Sequence, residues 1–284
     1  MKNTIFISID NNFYKLCILF LKNIKKKYTN HPTIHIIYIN LTEKQKKYLF
    51  KINNNIKLIE NDINESIIWP IMLHLNQKKY NPKVFYARFM IFNEYFSQFD
   101  KILHLDVDIY INKNLDELFK KDSFFIVKDV YEWHDFIDID NNDLKKQFLK
   151  DKIINTPICW NAWIFLITKK YLNKSVLNNL IEIKNNYSKY IRFADQSIIN
   201  IWLCLNNINI SKEYKYNLQY RLFFQNYNNI DLLKESNIIH LNWLNYKYKY
   251  LLMILFNAWF YNLFIFIFIF INKITKWIIA KFIF

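Results

Sequence analysis

The sequence predicts an α/β fold, a doubly wound sheet flanked by helices, and three observations carry that prediction. The first 60 residues alternate strand-like and helix-like patterns, as parallel βαβ units do. The 284 residues are 52% hydrophobic and 22% charged, which suits a sizeable core and excludes a disordered chain. Downstream, short apolar runs recur between segments of helical periodicity.

The elements follow in order. Residues 4–9 (TIFISI) read as a buried strand that ends at the turn Asp10-Asn11-Asn12, and 13–27 follow with helical periodicity into a lysine run. Residues 35–41 (HIIYINL) are a second strand, 42–52 a helix with Thr42 as N-cap, and 56–61 (IKLIEN) a third strand. Residues 83–97 read as one helix. KILHLDVDIYI, 101–111, is an apolar strand interrupted by two aspartates. Strands at 123–130 and 162–168, helices near 170–188 and over 195–205, and a late strand or loop at 237–243 complete the pattern. No internal repeat or long linker interrupts it.

Composition narrows the chemistry. The chain has no glycine and 4 prolines, a bias we attribute to an AT-rich genome. Every glycine-based phosphate loop is therefore excluded. Any turn that needs positive φ must use Asn, Asp or a strained residue. Lys+Arg number 39 and Asp+Glu 24, a formal net charge of +15. That charge favours an anionic partner such as a nucleotide, a nucleic acid or a membrane surface, although codon bias inflates it. No basic-aromatic motif points to nucleic acid. Cys17, Cys159 and Cys204 are scattered and odd in number, which argues against a disulfide framework or zinc site and for a reducing compartment. The apolar run before Asp10 is too short for a signal peptide.

Composition shifts at Tyr250. No charged residue occurs from Tyr250 to Ile271, and Lys273, Lys276 and Lys281 then punctuate an apolar, aromatic end. Three readings stand: a single membrane span, an in-plane interfacial helix, or a helix that closes the core.

Asp106-Val107-Asp108 is the strongest chemical signal. In an extended strand, carboxylates at i and i+2 point to one side. Two like charges so placed call for a cation, and Mg²⁺ or Mn²⁺ would leave coordination positions open for phosphate oxygens. Ligands of open α/β sheets bind beyond the C-terminal ends of strands, where these residues fall. An alternative, a haloacid dehalogenase-like phosphatase, expects the motif after the first strand. Here it lies past residue 100.

Six patches in order carry a resemblance. Asp10-Asn11-Asn12-Phe13 resembles a D-x-N-Y nucleotide loop and Tyr86-Ala87-Arg88 a Y-x-R helix start. Lys101 to Asp108 resembles K-h-h-Y-L-D-x-D and Asn161 to Ile164 part of F-N-A-G-V. Ala194 to Asn200 resembles x-D-Q-D-I-L-N, and Ile238-Ile239-His240 a late h-h-H segment. Together they resemble family 8 glycosyltransferases, the retaining group that includes lipooligosaccharide galactosyltransferases and glycogenin. The resemblance implies a GT-A nucleotide-diphospho-sugar transferase fold, a Rossmann-like mixed sheet, over residues 1–249. A hydrophobic membrane-associating tail over 250–284 would follow it.

It also implies roles. Asp10 and Asn12 would contact uracil and ribose. Asp106, Asp108 and His240 would hold Mn²⁺ (or Mg²⁺) against the diphosphate. Arg88 would bind the donor sugar or its phosphate. Asn161, Asp195 and Gln196 would line the sugar and the reaction centre, with Asp195 and Gln196 as the catalytic pair. Asp129 would contact sugar or acceptor, and Lys247 the diphosphate. Two departures stand out: Trp163 replaces a small residue, and Lys247 falls one place late in a segment without its usual glycine. The expected activity is Mn²⁺-dependent transfer of galactose or glucose from a UDP-sugar. The acceptor would be a lipid-linked, lipopolysaccharide or other surface glycan at the cytoplasmic face of a membrane, and no nucleic acid would be bound. The alternative is a catalytically silent, membrane-bound sugar-nucleotide-binding protein.

Overall fold

The structure, a computed structural model, describes residues 1–61, 82–128, 159–188, 191, 194–206, 208, 218–219 and 235–241. The described strands are β1 (Asn3–Asp10), β2 (Ile34–Ile39), β3 (Ile56–Glu60), β4 (Lys101–Leu105), β5 (Ile109–Ile111), β6 (Phe125–Lys128), β7 (Trp160–Thr168), β8 (Leu218–Gln219) and β9 (Ile238–His240). The helices are α1 (Tyr14–Lys27), α2 (Glu43–Ile52), α3 (Pro82–Tyr86), α4 (Asp116–Phe119), α5 (Lys174–Tyr187) and α6 (Ala194–Leu205). Two compact units result. The first comprises residues 1–14, 30–107 and 115–214, the second 15–29, 108–114 and 215–284.

The first unit is built on a sheet of strand order β3-β2-β1-β4-β7-β6. Strands β1 to β4 pair in parallel, and β7 runs antiparallel to both β4 and β6. The sheet is thus mixed, with a parallel half. The continuous apolar character of β1 and β2 fits strands covered on both faces, and all of β2 is buried. The chain winds outward from β1 to β3 on one side and resumes at β4 on the other. The C-terminal ends of β1 and β4 therefore flank a topological switch point, where such sheets bind ligands. Asp10 ends β1, and Asp106 follows β4.

Local signals explain the connections. Asn40, which links β2 to α2, has φ 55°, so asparagine takes the left-handed role that glycine usually fills. Thr42 caps α2 as expected. Gln45 N–H donates to Thr42 Oγ1 at 3.3 Å, and Thr42 N–H donates to Gln45 Oε1 at 2.8 Å, a reciprocal capping box. Asn173 caps α5 in the same manner through Val176 N–H.

Two sequence expectations need correction. Residues 83–97 do not form one helix. After the short α3 the chain tightens into 3₁₀ turns at Ala87–Phe92 and Glu94–Gln98, separated by extended Asn93. Ala87 to Phe92 are all buried, so this segment has no polar face and packing overrides helical propensity. Residues 101–111 do not form one strand either. β4 belongs to the first sheet and β5 to a second sheet, with a turn at Val107–Asp108.

Tertiary packing in the first unit is aromatic. Phe165 of β7 stacks on Phe124 at 6.1 Å, and Trp202 of α6 meets Phe124, Phe92 and Tyr171 edge-on. Asn200, fully buried on α6, binds the start of β7 through its amide. Trp160 N–H donates to its Oδ1 at 2.7 Å, and its Nδ2 donates to Trp160 O and Gln196 O, both at 2.8 Å. The side chain stands in for a strand partner and fixes the positions of Asn161 and Gln196. We expect Asn200→Ala to cost about 2–3 kcal/mol, because two buried backbone groups lose their partner. Urea denaturation checks this, with the midpoint lowered and the slope unchanged.

The second unit contains a small sheet of order β5-β9-β8, with β5 antiparallel and β8 parallel to β9. Buried Asn23 of α1 closes the free edge of β5. Its Nδ2 donates to Ile111 O at 3.0 Å, and its Oδ1 accepts from Ile111 N–H at 2.7 Å. Asp129, Lys247 and the apolar stretch from Tyr250 lie outside the described residues. No helix among the described residues is long and apolar enough to cross a membrane.

Candidate active site

Asp10 is buried at the end of β1 and turns the chain. Its Oδ1 accepts from Asn12 N–H at 2.9 Å and Phe13 N–H at 3.1 Å, and its Oδ2 from Asn12 Nδ2 at 3.1 Å. The carboxylate thereby presents Asn12, which is exposed, at the mouth of the switch point.

Beyond β4 lies a charge network around Arg88, a residue of the first 3₁₀ turn that is only 3% exposed. Its Nη1 donates to Ala162 O at 2.7 Å, its Nη2 lies 3.5 Å from Asp106 Oδ1, and its Nε lies 2.8 Å from Asp195 Oδ2. The last contact is a close ion pair without a directed hydrogen bond. Asp195 sits in the first turn of α6, where the helix dipole favours negative charge. Burial pushes its carboxyl up to about 6. Arg88 and the amides of Asp195 and Gln196 oppose that rise, and Asp106 adds to it. Gln196 is buried beside it.

The raised value carries a sign. A native carboxyl near 6 against an ordinary value of 3.8 means that the folded state binds this proton more tightly. The stability it contributes is full below about pH 4 and is lost as pH rises through about 6. In metal-free protein, the stability difference between wild type and Asp195→Asn should therefore shift across that window. Denaturation at several pH values measures it.

Asn161 is buried on β7, and its Oδ1 accepts Trp163 N–H at 2.8 Å. It stands at a register irregularity. β6 pairs Ile126 with Phe165 but Val127 with Asn161. Trp163 is half-buried, and its carbonyl accepts from Asp106 N–H at 3.0 Å. The bulky residue at this departure thus lies where β7 is redirected beside the first aspartate.

In the second unit, His240 ends β9 opposite Ile109. Its Nε2 lies 3.3 Å from Asp108 Oδ1, and Leu241 N–H donates to Asp108 O at 3.0 Å. Asp108 and His240 thus pair within the second unit, and Asp106 stands two residues before Asp108 in the chain. Two carboxylates and an imidazole form a donor set that suits a hard to borderline divalent cation. A turn at Val107–Asp108, not an extended strand, links the two aspartates.

One residue near this network escaped the sequence reading. His104, fully buried on β4, has Nε2 3.3 Å from Asp106 Oδ1. Burial lowers its imidazole to about 4 against the opposing pull of Asp106, so the ring is neutral near pH 7. The signal was its parity: 104, 106 and 108 share a strand period of two.

The mixed sheet of the first unit, with its switch point beside a buried Arg–Asp pair, makes this an α/β protein of the class that binds ligands beyond the ends of its strands. The chain belongs to glycosyl transferase family 8, whose profile matches residues 4–249, and it is a glycosyltransferase. Among solved structures it is similar to galactosyltransferase LgtC in complex with donor and acceptor sugar analogues. That match has 18% identity and a TM-score of 0.62, and it covers 84% of this chain and 86% of that one. It is also similar to apo glycosyltransferase GlyE of Streptococcus pneumoniae (15% identity, TM-score 0.56, 92% of this chain and 64% of that one). Apo xyloside xylosyltransferase 1 of mouse is a further match (12% identity, TM-score 0.54, 86% and 98%). These likenesses establish the mixed α/β fold. No curated protein matches the sequence.

Proposed function

We propose that the protein is a Mn²⁺-dependent retaining hexosyltransferase that moves galactose or glucose from a UDP-sugar to a lipid-linked or surface glycan. The observation that carries this reading is the Asp108–His240 pair, 3.3 Å apart, with Asp106 two residues earlier in the chain, in a family 8 member. LgtC, which shares the fold, is a galactosyltransferase studied with donor and acceptor sugar analogues, and this supports a hexose donor.

The chain's own residues divide the work. Asp106, Asp108 and His240 would hold the cation. When bound, it neutralises charge that develops on the leaving diphosphate. Asp10 shapes the turn that offers Asn12 to the nucleoside. Arg88 holds Asp106 and Asp195 in fixed positions and supplies positive potential in a water-poor pocket. Asn161, Asp195 and Gln196 line the sugar, and a carboxylate–amide pair can stabilise positive charge at the anomeric carbon. Asp129 and Lys247 are assigned to the sugar or acceptor and to the diphosphate.

The tail over 250–284 would keep the enzyme at the cytoplasmic membrane face, where a lipid-linked acceptor is found. Deletion of the tail should move the protein from the membrane fraction to the soluble fraction, and a protein that stays with the membrane would sink that role. Turnover of a panel of UDP-, GDP- and CMP-sugars, with and without Mn²⁺, tests the activity. Release of sugar from one UDP-sugar only with metal is expected. Binding without turnover across a broad acceptor panel would instead indicate the silent binding protein.

A further inference from the structure

We infer that His104 is a positioning residue for Asp106, fixing one carboxylate oxygen so that the other faces the cation; this rests on the transferase reading above. His104 is fully buried, with its ring 4.6 Å from Phe165 and 5.7 Å from Phe6. An aromatic hydrocarbon would fill that space without polar atoms. Buried ring nitrogens need polar partners, and the groups that face these two are the Asp106 carboxylate and the Phe6 backbone.

Geometry shows what they do. Nε2 lies 3.3 Å from Asp106 Oδ1, and Arg88 Nη2 lies 3.5 Å from the same oxygen. Two buried nitrogens of the first unit therefore bracket Oδ1, and Asp106 N–H is fixed by Trp163 O. Backbone and one carboxylate oxygen are both held, and the inference assigns the other, Oδ2, to the cation. The contact with Asp106 places an N–H on Nε2. Arg88 alone would not suffice, because it is shared among Ala162 O, Asp106 and Asp195. Groups that orient metal-ligating carboxylates in this way tune affinity by roughly 10- to 100-fold.

The test uses the full-length chain and Mn²⁺ itself, titrated in the presence of UDP and read by electron paramagnetic resonance, with thermal unfolding measured in parallel. His104→Phe keeps the ring packing and removes both nitrogens. His104→Gln restores an N–H near the place of Nε2. We expect His104→Phe to unfold at the same or a higher temperature yet bind Mn²⁺ about 10-fold or more weakly, and His104→Gln to recover most of that affinity. Unchanged Mn²⁺ affinity in His104→Phe overturns the inference. So does a loss that accompanies lower thermal stability and that His104→Gln does not recover, since packing then explains it. Failure of the wild type to bind Mn²⁺ is a separate result. It overturns the metal reading itself, and this inference with it.

Discussion

Replacement of both aspartates, Asp106→Asn with Asp108→Asn, is expected to lower Mn²⁺-dependent turnover of the UDP-sugar by at least about 10³-fold while leaving the fold intact. In the proposed site the carboxylates supply two of the three protein ligands, and an uncharged amide of the same shape is a poor ligand for a hard cation. Stability should respond in the opposite sense or not at all. Asp106 is partly exposed, and its contacts with Arg88 and His104 are long, at 3.5 Å and 3.3 Å. Removing two like charges at close range relieves repulsion in metal-free protein. We therefore expect metal-free stability to change by less than about 1 kcal/mol. Sugar release with and without Mn²⁺, alongside denaturation of the same samples, measures both. Retained metal-dependent turnover would remove the aspartates from the mechanism.

The second large effect concerns Arg88 and Asp195, whose side chains are 4% and 5% exposed. Arg88→Met leaves Asp195 buried without its cation, and breaking a buried pair this way costs about 3–5 kcal/mol. Asp195 has an escape, because burial already raises its carboxyl to about 6 and loss of Arg88 raises it further. The destabilisation should therefore be largest above pH 7 and shrink as pH falls and the carboxyl protonates. Arg88→Met with Asp195→Leu should recover part of the loss, because no uncompensated charge remains. Arg88→Lys keeps the charge but cannot reach Ala162 O, Asp106 and Asp195 together, so it should fold yet turn over poorly. Denaturant midpoints across pH 5.5 to 8 decide the matter. A pH-independent loss would mean that Asp195 is protonated even beside Arg88.

Much of the frame was legible in the residues. Short, nearly continuous apolar runs placed β1 to β4, and Thr42 marked the start of α2, because both signals are short-range and lie within one turn or strand. The absence of glycine left positive φ to Asn, Asp or a strained residue, and Asn40 takes it. Asp106, Asp108 and His240 were read as one group from their resemblance to a family pattern, and Asp108 and His240 lie 3.3 Å apart.

Local pattern failed where packing or strand exchange intervened. Residues 83–97 have helical periodicity, yet Ala87 to Phe92 are buried on every side, and the chain adopts tight 3₁₀ turns that fit the space. The apolar run 101–111 continues unbroken in sequence, but its halves pair with different partners, β4 with β1 and β7, β5 with β9.

The sequence by itself thus determined the α/β class, the places of the first strands, the N-cap at Thr42 and the family pattern that singles out Asp106 and Asp108. Tertiary structure alone decided that Arg88 meets Asp195, that His104 lies against Asp106, that Asn200 braces Trp160 and that Asn23 closes the edge of β5. The physical reason is range. Propensity and periodicity act over a few residues, whereas these contacts join residues that only the sheet pairing and the buried aromatic core bring within hydrogen-bond distance.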